Sequence, residues 1–311
     1  MQSVNSDVIV VLGTGGTIAG TSGRELDNVG YRAAQIGVEQ LLHALPGLAG
    51  QALEAEQVAQ VDSKDMGLEV WARLAHRLEH HLARAEVAAV VVTHGTDTLE
   101  ETAWFLHRVL APAKPVVMTA AMRPATALLS DGPQNMLDAM TVARTPDARG
   151  VMAVVGGTVF APGDLRKVHT YRLDAFAFGD AGPLAVVEEG QVRRFREWPA
   201  TEPLGVGRLP DDTTLWPRVA LLVSHAGVDP IVVDALLARG VQGIVVAGTG
   251  NGTIAEALGQ ALHRASSAGV VVWRASRCAF GRVIGDGDFP SAGPLSAVQA
   301  RIELMLQLML S

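Results

Sequence analysis

The stretch Val87-Ala88-Ala89-Val90-Val91-Val92-Thr93-His94-Gly95-Thr96-Asp97-Thr98-Leu99-Glu100-Glu101-Thr102 leaves this chain few choices of fold. An uninterrupted, largely β-branched run stops in a polar loop, and helical spacing starts near Leu99, so it reads as a buried strand feeding a helix. Strands that are apolar on both faces belong to parallel sheets covered by helices. In open α/β sheets, ligands collect beyond the carboxyl ends of such strands. His94, Gly95, Thr96 and Asp97 stand there, a hydroxyl beside a carboxylate.

The same pattern recurs along the chain. Strands are predicted over 8–12, 58–61, 115–119 and 151–155, and helices over 37–45, 68–82, 102–110 and 135–143. Between 191 and 217, Pro199, Pro203, Pro210 and Pro217 interrupt a polar, weakly periodic stretch, the natural linker. Beyond it, strands at 219–223, 243–246 and 270–273 alternate with helices at 231–238 and 254–265, and a last helix covers 296–310. The expected fold class is α/β, with two parallel-sheet domains: a larger N-terminal one over 1–190 and a smaller C-terminal one over 218–311. A length of 311 residues, 49% hydrophobic and 18% charged, suffices for both cores.

Charge and cysteine usage narrow the partners. A net charge of −7 supplies no basic surplus for nucleic acid or an anionic membrane, so a small molecule is the expected ligand. The single cysteine, Cys278, follows an apolar strand and reads as a buried, inert thiol. Residues 1–7 lack a basic n-region, and 8–12 is too short for a signal or membrane helix, which points to the cytoplasm. His76 and His80 stand at i, i+4, but without the Glu of a His-Glu-x-x-His or a third ligand. With His81 they read as a solvated helix face, and no metal or other cofactor is expected.

The polar strand ends carry the chemistry. Gly13-Thr14-Gly15-Gly16-Thr17-Ile18-Ala19-Gly20 follows the first strand; Ile18 in its sixth position rules out a dinucleotide fingerprint, and no Gly-Lys-Ser/Thr closes a Walker loop. What remains presents backbone N–H groups and the Thr17 hydroxyl. The aperiodic loop 21–31 has the composition of a lid and ends on Tyr31, which either anchors the loop to the core or joins the site. Other strand ends supply Ser63 and Lys64 in Asp62-Ser63-Lys64-Asp65-Met66, and Asn251 in Gly248-Thr249-Gly250-Asn251-Gly252-Thr253. Lys167, in a polar segment, reads most simply as a surface cation. There is no Gly-x-Ser-x-Gly elbow, but a threonine nucleophile needs only a base; a buried lysine held by an aspartate serves, giving a Thr-Lys-Asp relay.

The loop 13–20 and the run Thr93-His94-Gly95-Thr96-Asp97-Thr98-Leu99-Glu100-Glu101-Thr102, in this order and separation, resemble the two signature motifs of the bacterial-type L-asparaginase/glutaminase family. Asp62–Met66, Lys114–Pro124, Ser130-Asp131-Gly132-Pro133 and Gly250-Asn251-Gly252 extend the resemblance over nearly the whole chain. It implies a hydrolase that converts L-asparagine to L-aspartate and ammonia, with some action on L-glutamine. Thr17 would be the nucleophile and Tyr31 would help take its proton. Thr96, Lys167 and Asp97 would form a second triad, with Asp97 also holding the substrate ammonium.

By the same resemblance Ser63 would bind the substrate carboxylate, and Gly16 and Gly95 would line the site. The Thr96 N–H, with Ala121 nearby, would stabilise the oxyanion, and Asn251 would reach across from a neighbouring subunit of a homodimer or homotetramer. Two positions depart from the family pattern. Lys64 stands where Gln or Glu usually contacts substrate, and the partner-donated acidic residue has no clear match, with Asp286 and Asp288 as candidates. Lys64 keeps open a second reading, a module that binds an amino acid without turning it over.

Overall fold

A computed structural model describes residues 8–24 and 26–310. Residues 1–7, read above for a leader, Glu25 of the loop and Ser311 lie outside the described residues. The chain divides into two compact units between Val206 and Gly207.

The N-terminal unit is built on an eight-stranded sheet. Its strands are β1 (Val8–Gly15), β2 (Leu53–Val61), β3 (Val87–Thr93), β4 (Pro115–Thr119), β5 (Gly150–Val155), β6 (Thr158–Phe160), β9 (Ala185–Glu188) and β10 (Gln191–Arg194), in the order β10-β9-β6-β5-β4-β3-β1-β2. The strands from β2 to β5 run parallel; β6, β9 and β10 add an antiparallel edge. A separate two-stranded hairpin pairs β7 (Arg166–Lys167) with β8 (Phe176–Ala177). The helices are α1 (Val38–His43), α2 (Leu68–Ala83), α3 (Leu99–Leu110) and α4 (Gly132–Ala143).

Alternation along the strands builds two cores. Ile9, Val11, Ala89, Val91, Val117, Met152 and Val154 pack with Met136, Ala139 and Met140 of α4. Their neighbours Val10, Leu12, Val90, Val92 and Met118, also fully buried, face the other way, as strand geometry requires. There α2 packs on β3 and on α3, and Trp71 of α2 stacks on Phe105 of α3 with ring centroids 5.1 Å apart.

The C-terminal unit repeats the plan with β11 (Val219–Val223), β12 (Gly243–Gly248) and β13 (Val271–Ser276), all parallel, and helices α5 (Ile231–Ala238), α6 (Glu256–Ser267) and α7 (Ala297–Leu308). Ile244 and Val246 pack with α5 and α6, and Val245 with Ala300 and Leu304 of α7. A capping box opens α7: Ser296 Oγ accepts from Gln299 N while the Gln299 side chain accepts from Ser296 N.

Several sequence expectations are corrected here. Strands β6 to β10 escaped the reading because each has two to four residues, too few for a period to show. The stretch 191–217 begins inside the sheet, since 191–194 is β10. Cys278 is exposed; β13 ends at Ser276, so the apolar strand stops before the thiol. His81 is buried, with Nε2 2.8 Å from Glu56 Oε2, whereas His76 and His80 are exposed. The inward stripe of α2 runs Trp71, Leu74, Leu78, His81 and carries the last histidine inside.

Candidate active site

The order β2-β1-β3 places a topological switch point at β1 and β3: the connection leaving β1 crosses to β2 on one side while β3 lies on the other, which opens a crevice at the carboxyl ends. β1 and β3 stay paired as far as Gly13↔Thr93. Thr14 Oγ1 then donates to Thr93 O at 2.8 Å and ties the strand ends together.

Beyond them the two loops touch. Gly16 has φ 80°, and a Cβ there would overlap Gly95 Cα and N; a Cβ on Gly95 would overlap Ser63 Oγ. The loops after β1 and β3 therefore meet backbone to backbone, with the Ser63 side chain of the β2 loop packed on Gly95, and the residues that follow the two glycines, Thr17 and Thr96, are held at the same end of the sheet.

Thr17 opens a 3-10 turn, Thr17–Ala19, and is buried. Its Oγ1 lies 2.6 Å from Tyr31 OH. Tyr31 is held in place by the mouth of its own loop, where Thr21 N donates to Arg32 O at 2.9 Å and Arg32 N to Thr21 O at 2.8 Å. Burial pushes the Tyr31 phenol above its ordinary range; the Thr17 hydrogen bond opposes this and the Asp62 and Asp97 carboxylates add to it. The phenol keeps its proton at neutral pH.

Thr96 belongs to a second cluster. Lys167 Nζ donates to Thr96 Oγ1 at 2.8 Å and to Asp97 Oδ1 at 2.5 Å. With 17% of its side chain exposed, Lys167 is not the solvated cation of its plainest reading; β7 turns it inward. Ser63 Oγ accepts from Asp97 N at 3.2 Å, and Thr98 Oγ1 donates to Ser63 O at 2.8 Å, so the β2 loop is bolted to the β3 loop.

Ala121 stands at the start of the loop that follows β4. Asp131 fixes that loop by accepting from Met122 N and Arg123 N, both at 2.9 Å, and Asn135 Nδ2 donates to Ala120 O at 2.9 Å. Ala125 N reaches Gly20 O at 2.9 Å, joining the β4 and β1 loops.

Lys64 is largely exposed and donates to Asp62 Oδ2 and Asp65 Oδ2, each at 2.8 Å, which holds its ammonium well above the usual lysine range. Asn251 lies in the C-terminal unit. Its amide donates from Nδ2 to Ile284 O and accepts at Oδ1 from Ile284 N, both at 2.8 Å. Asp288 sits 3.5 Å from His263 Nε2 at the surface.

Two residues the sequence reading passed over complete the surroundings. Glu100 Oε2 accepts from Lys167 N at 3.3 Å, and burial raises its carboxyl to about 7. Thr102 bonds the imidazole of His94, with Thr102 Oγ1 2.9 Å from Nε2. Both lie in the quoted motif; only their register on α3 reveals what they touch. Among the described residues no three His, Cys, Asp or Glu are grouped to hold a metal, and no helix is long and apolar enough to cross a membrane.

Residues 8–200 match the family model described as Asparaginase, N-terminal, and 218–310 that of the Glutaminase/Asparaginase C-terminal domain. The chain belongs to the asparaginase family. It is 34% identical to L-asparaginase 2 of Escherichia coli (strain K12) over 315 residues, covering 96% of this chain and 88% of that protein. Against the glutaminase-asparaginase of Pseudomonas fluorescens biotype A it is 34% identical over 312 residues, 96% of this chain and 86% of that one. The crystal structure of a probable cytoplasmic L-asparaginase from Campylobacter jejuni superposes with a TM-score of 0.93 at 34% identity, covering 98% of this chain and 96% of that one. The loop after β1, with Thr17, and the loop after β3, with Thr96 and Asp97, both fall within residues 8–200 that match the N-terminal family model.

Proposed function

We propose that this protein is an L-asparagine amidohydrolase with a threonine nucleophile, yielding L-aspartate and ammonia. The observation that carries the reading is the pair of hydrogen-bonded threonine hydroxyls just beyond the ends of β1 and β3, Thr17 on Tyr31 at 2.6 Å and Thr96 on Lys167, itself paired with Asp97, at 2.8 Å. Relatives named L-asparaginase and glutaminase-asparaginase support the substrate class.

Thr17 Oγ1 attacks the side-chain amide carbon, and its proton passes towards Tyr31 OH. The tetrahedral oxyanion is met by the Thr96 N–H, with Ala121 nearby; one such donor is worth about 3 kcal/mol. Because Tyr31 holds its own proton at neutral pH, it serves as a relay that accepts the Thr17 proton as it passes its own to the departing amide nitrogen. Nitrogen leaves as ammonia once protonated, and water directed by Thr96, whose hydroxyl is oriented by Lys167, hydrolyses the Thr17 ester. Ser63 takes the substrate carboxylate and Asp97 its ammonium, with Gly16, Gly95 and Lys64 lining the pocket.

The N-terminal domain, 1–190, carries this chemistry. The C-terminal domain, 218–311, contributes Asn251 to a partner's site in a homodimer or homotetramer, joined by the linker. L-Glutamine is a secondary substrate, as the name of the Pseudomonas relative suggests, and the proposed compartment is the cytoplasm, in line with the Campylobacter neighbour's description as a probable cytoplasmic L-asparaginase. The test is ammonia release from L-asparagine and L-glutamine by the wild type and Thr17→Ala. Release from asparagine that vanishes in the variant is expected; silence of the wild type on both amides, with asparagine still bound, favours the binding module.

A further inference from the structure

The chemistry above leaves His94 unused. It is fully buried and precedes Gly95, and both of its ring nitrogens are bonded, neither of them to Thr17 or Thr96. Nδ1 lies 2.7 Å from Gly95 O, Nε2 lies 2.9 Å from Thr102 Oγ1 of α3, and Thr102 Oγ1 accepts from Trp71 Nε1 of α2 at 2.8 Å. The partners dictate the hydrogens. A carbonyl oxygen only accepts and an indole N–H only donates, so Nδ1 carries the imidazole hydrogen and Thr102 donates to a bare Nε2. The bonds run one way, from Trp71 through Thr102 and His94 to Gly95 O. Burial brings the imidazole down to about 4, so the ring stays neutral and the direction holds across the neutral range. The backbone of His94 is fixed as well, its N donating to Thr119 O at 2.8 Å.

Gly95 O and the Thr96 N–H belong to one peptide plane. In a trans peptide they point in opposite directions, so a carbonyl drawn inward onto His94 turns the Thr96 N–H away from the imidazole, out of the core. A carbonyl that accepts a hydrogen bond also polarises its own amide, making the N–H a stronger donor.

We propose that His94 is a positioning residue which, braced by Thr102 and Trp71, aims and polarises the Gly95–Thr96 peptide so that the Thr96 N–H is presented as an oxyanion donor. This rests on the amidohydrolase reading, in which the oxyanion forms at that N–H. A purely structural histidine would affect melting but leave the turnover of the folded fraction alone.

The experiment compares ammonia release from L-asparagine by the wild type with that of His94→Phe, which keeps a ring but loses the Nδ1 hydrogen, and His94→Asn, whose amide restores a donor near the Nδ1 position. Removing an oxyanion donor outright costs 10²–10³-fold, so misaiming one is expected to lower kcat by ~10–100-fold in His94→Phe, with KM changed less than about threefold and kcat recovered by ~10-fold in His94→Asn. If His94→Phe shows no native thermal transition, Thr102→Val and Thr102→Ser decide: kcat should fall severalfold in the first and return in the second. An active wild type with a folded His94→Phe of equal kcat, a defect confined to KM, a folded His94→Asn no better than His94→Phe, or equal kcat in the two Thr102 variants overturns this proposal alone. A wild type that releases no ammonia overturns the underlying reading instead.

Discussion

Gly16 rests against the Cα and N of Gly95 with no room for a side chain on that face, so the loop bearing Thr17 and the loop bearing Thr96 share a backbone contact. Gly16→Ala must both push that contact apart and adopt a positive φ. The expected result is a loss of about 1–3 kcal/mol in stability and a fall in kcat of at least ~100-fold, read by denaturant unfolding beside steady-state ammonia release.

Thr17 and Tyr31 should differ in what their loss costs. Thr17→Ala removes the attacking oxygen and is expected to reduce kcat by ~10³-fold or more, whereas Tyr31→Phe removes a relay and should cost about 10²-fold. Both variants should melt as the wild type does. A Thr17→Ala protein that turns over normally would refute the nucleophile assignment.

Lys167 and Asp97 act on Thr96 as one unit, since a single ammonium bonds both. Lys167→Met and Asp97→Asn are each expected to lower kcat by ~10²-fold or more, and the double variant should resemble the worse single one. Strict multiplication of the two losses would show that they act separately.

Glu100 should leave a mark on stability against pH. Burial raises its carboxyl from 4.5 to about 7, so its contribution is full below pH 4.5 and lost as pH rises through 7. Glu100→Gln does not titrate. Unfolding free energies measured from pH 4 to 8 should show the variant gaining on the wild type with rising pH, by on the order of 1–3 kcal/mol, and levelling off above pH 7. A constant difference would contradict this.

Lys64 is braced by two aspartates at the surface, so Lys64→Gln should leave the melting temperature unchanged. Its effect is expected on selectivity: the ratio of kcat/KM for L-asparagine to that for L-glutamine should shift at least severalfold. An unchanged ratio would remove Lys64 from the substrate's surroundings.

The parallel strands were legible because each is a run of apolar residues closed by polar ones, as in 87–93 and 115–119, and the turn to chemistry was legible because hydroxyls and glycines gather at their ends. The antiparallel edge was not, since Thr158–Phe160 and Ala185–Glu188 are too short for a period to appear. At the site, Thr17, Thr96 and Asp97 announced themselves by position after a strand. Lys167 did not: it arrives from a two-residue strand 70 positions after Asp97, and only folding brings it within reach. Glu100 and Thr102 were hidden for another reason. A helix's inward face is decided by what it packs on, and the chain's order does not print that.

The hairpin that carries Lys167 pairs with its partner through two residue positions, Arg166↔Ala177 and Lys167↔Phe176, apart from the large sheet. Although Leu165 and Ala175 beside it are fully buried, a ladder of two positions holds fewer backbone bonds than the strands around β1 and β3 and is expected to open before them. Warming this enzyme should therefore extinguish turnover reversibly while the far-ultraviolet signal of the sheet is still intact. Its working temperature limit would be set by a few residues of hairpin, and cross-linking that hairpin would extend it without altering the melting point of the whole.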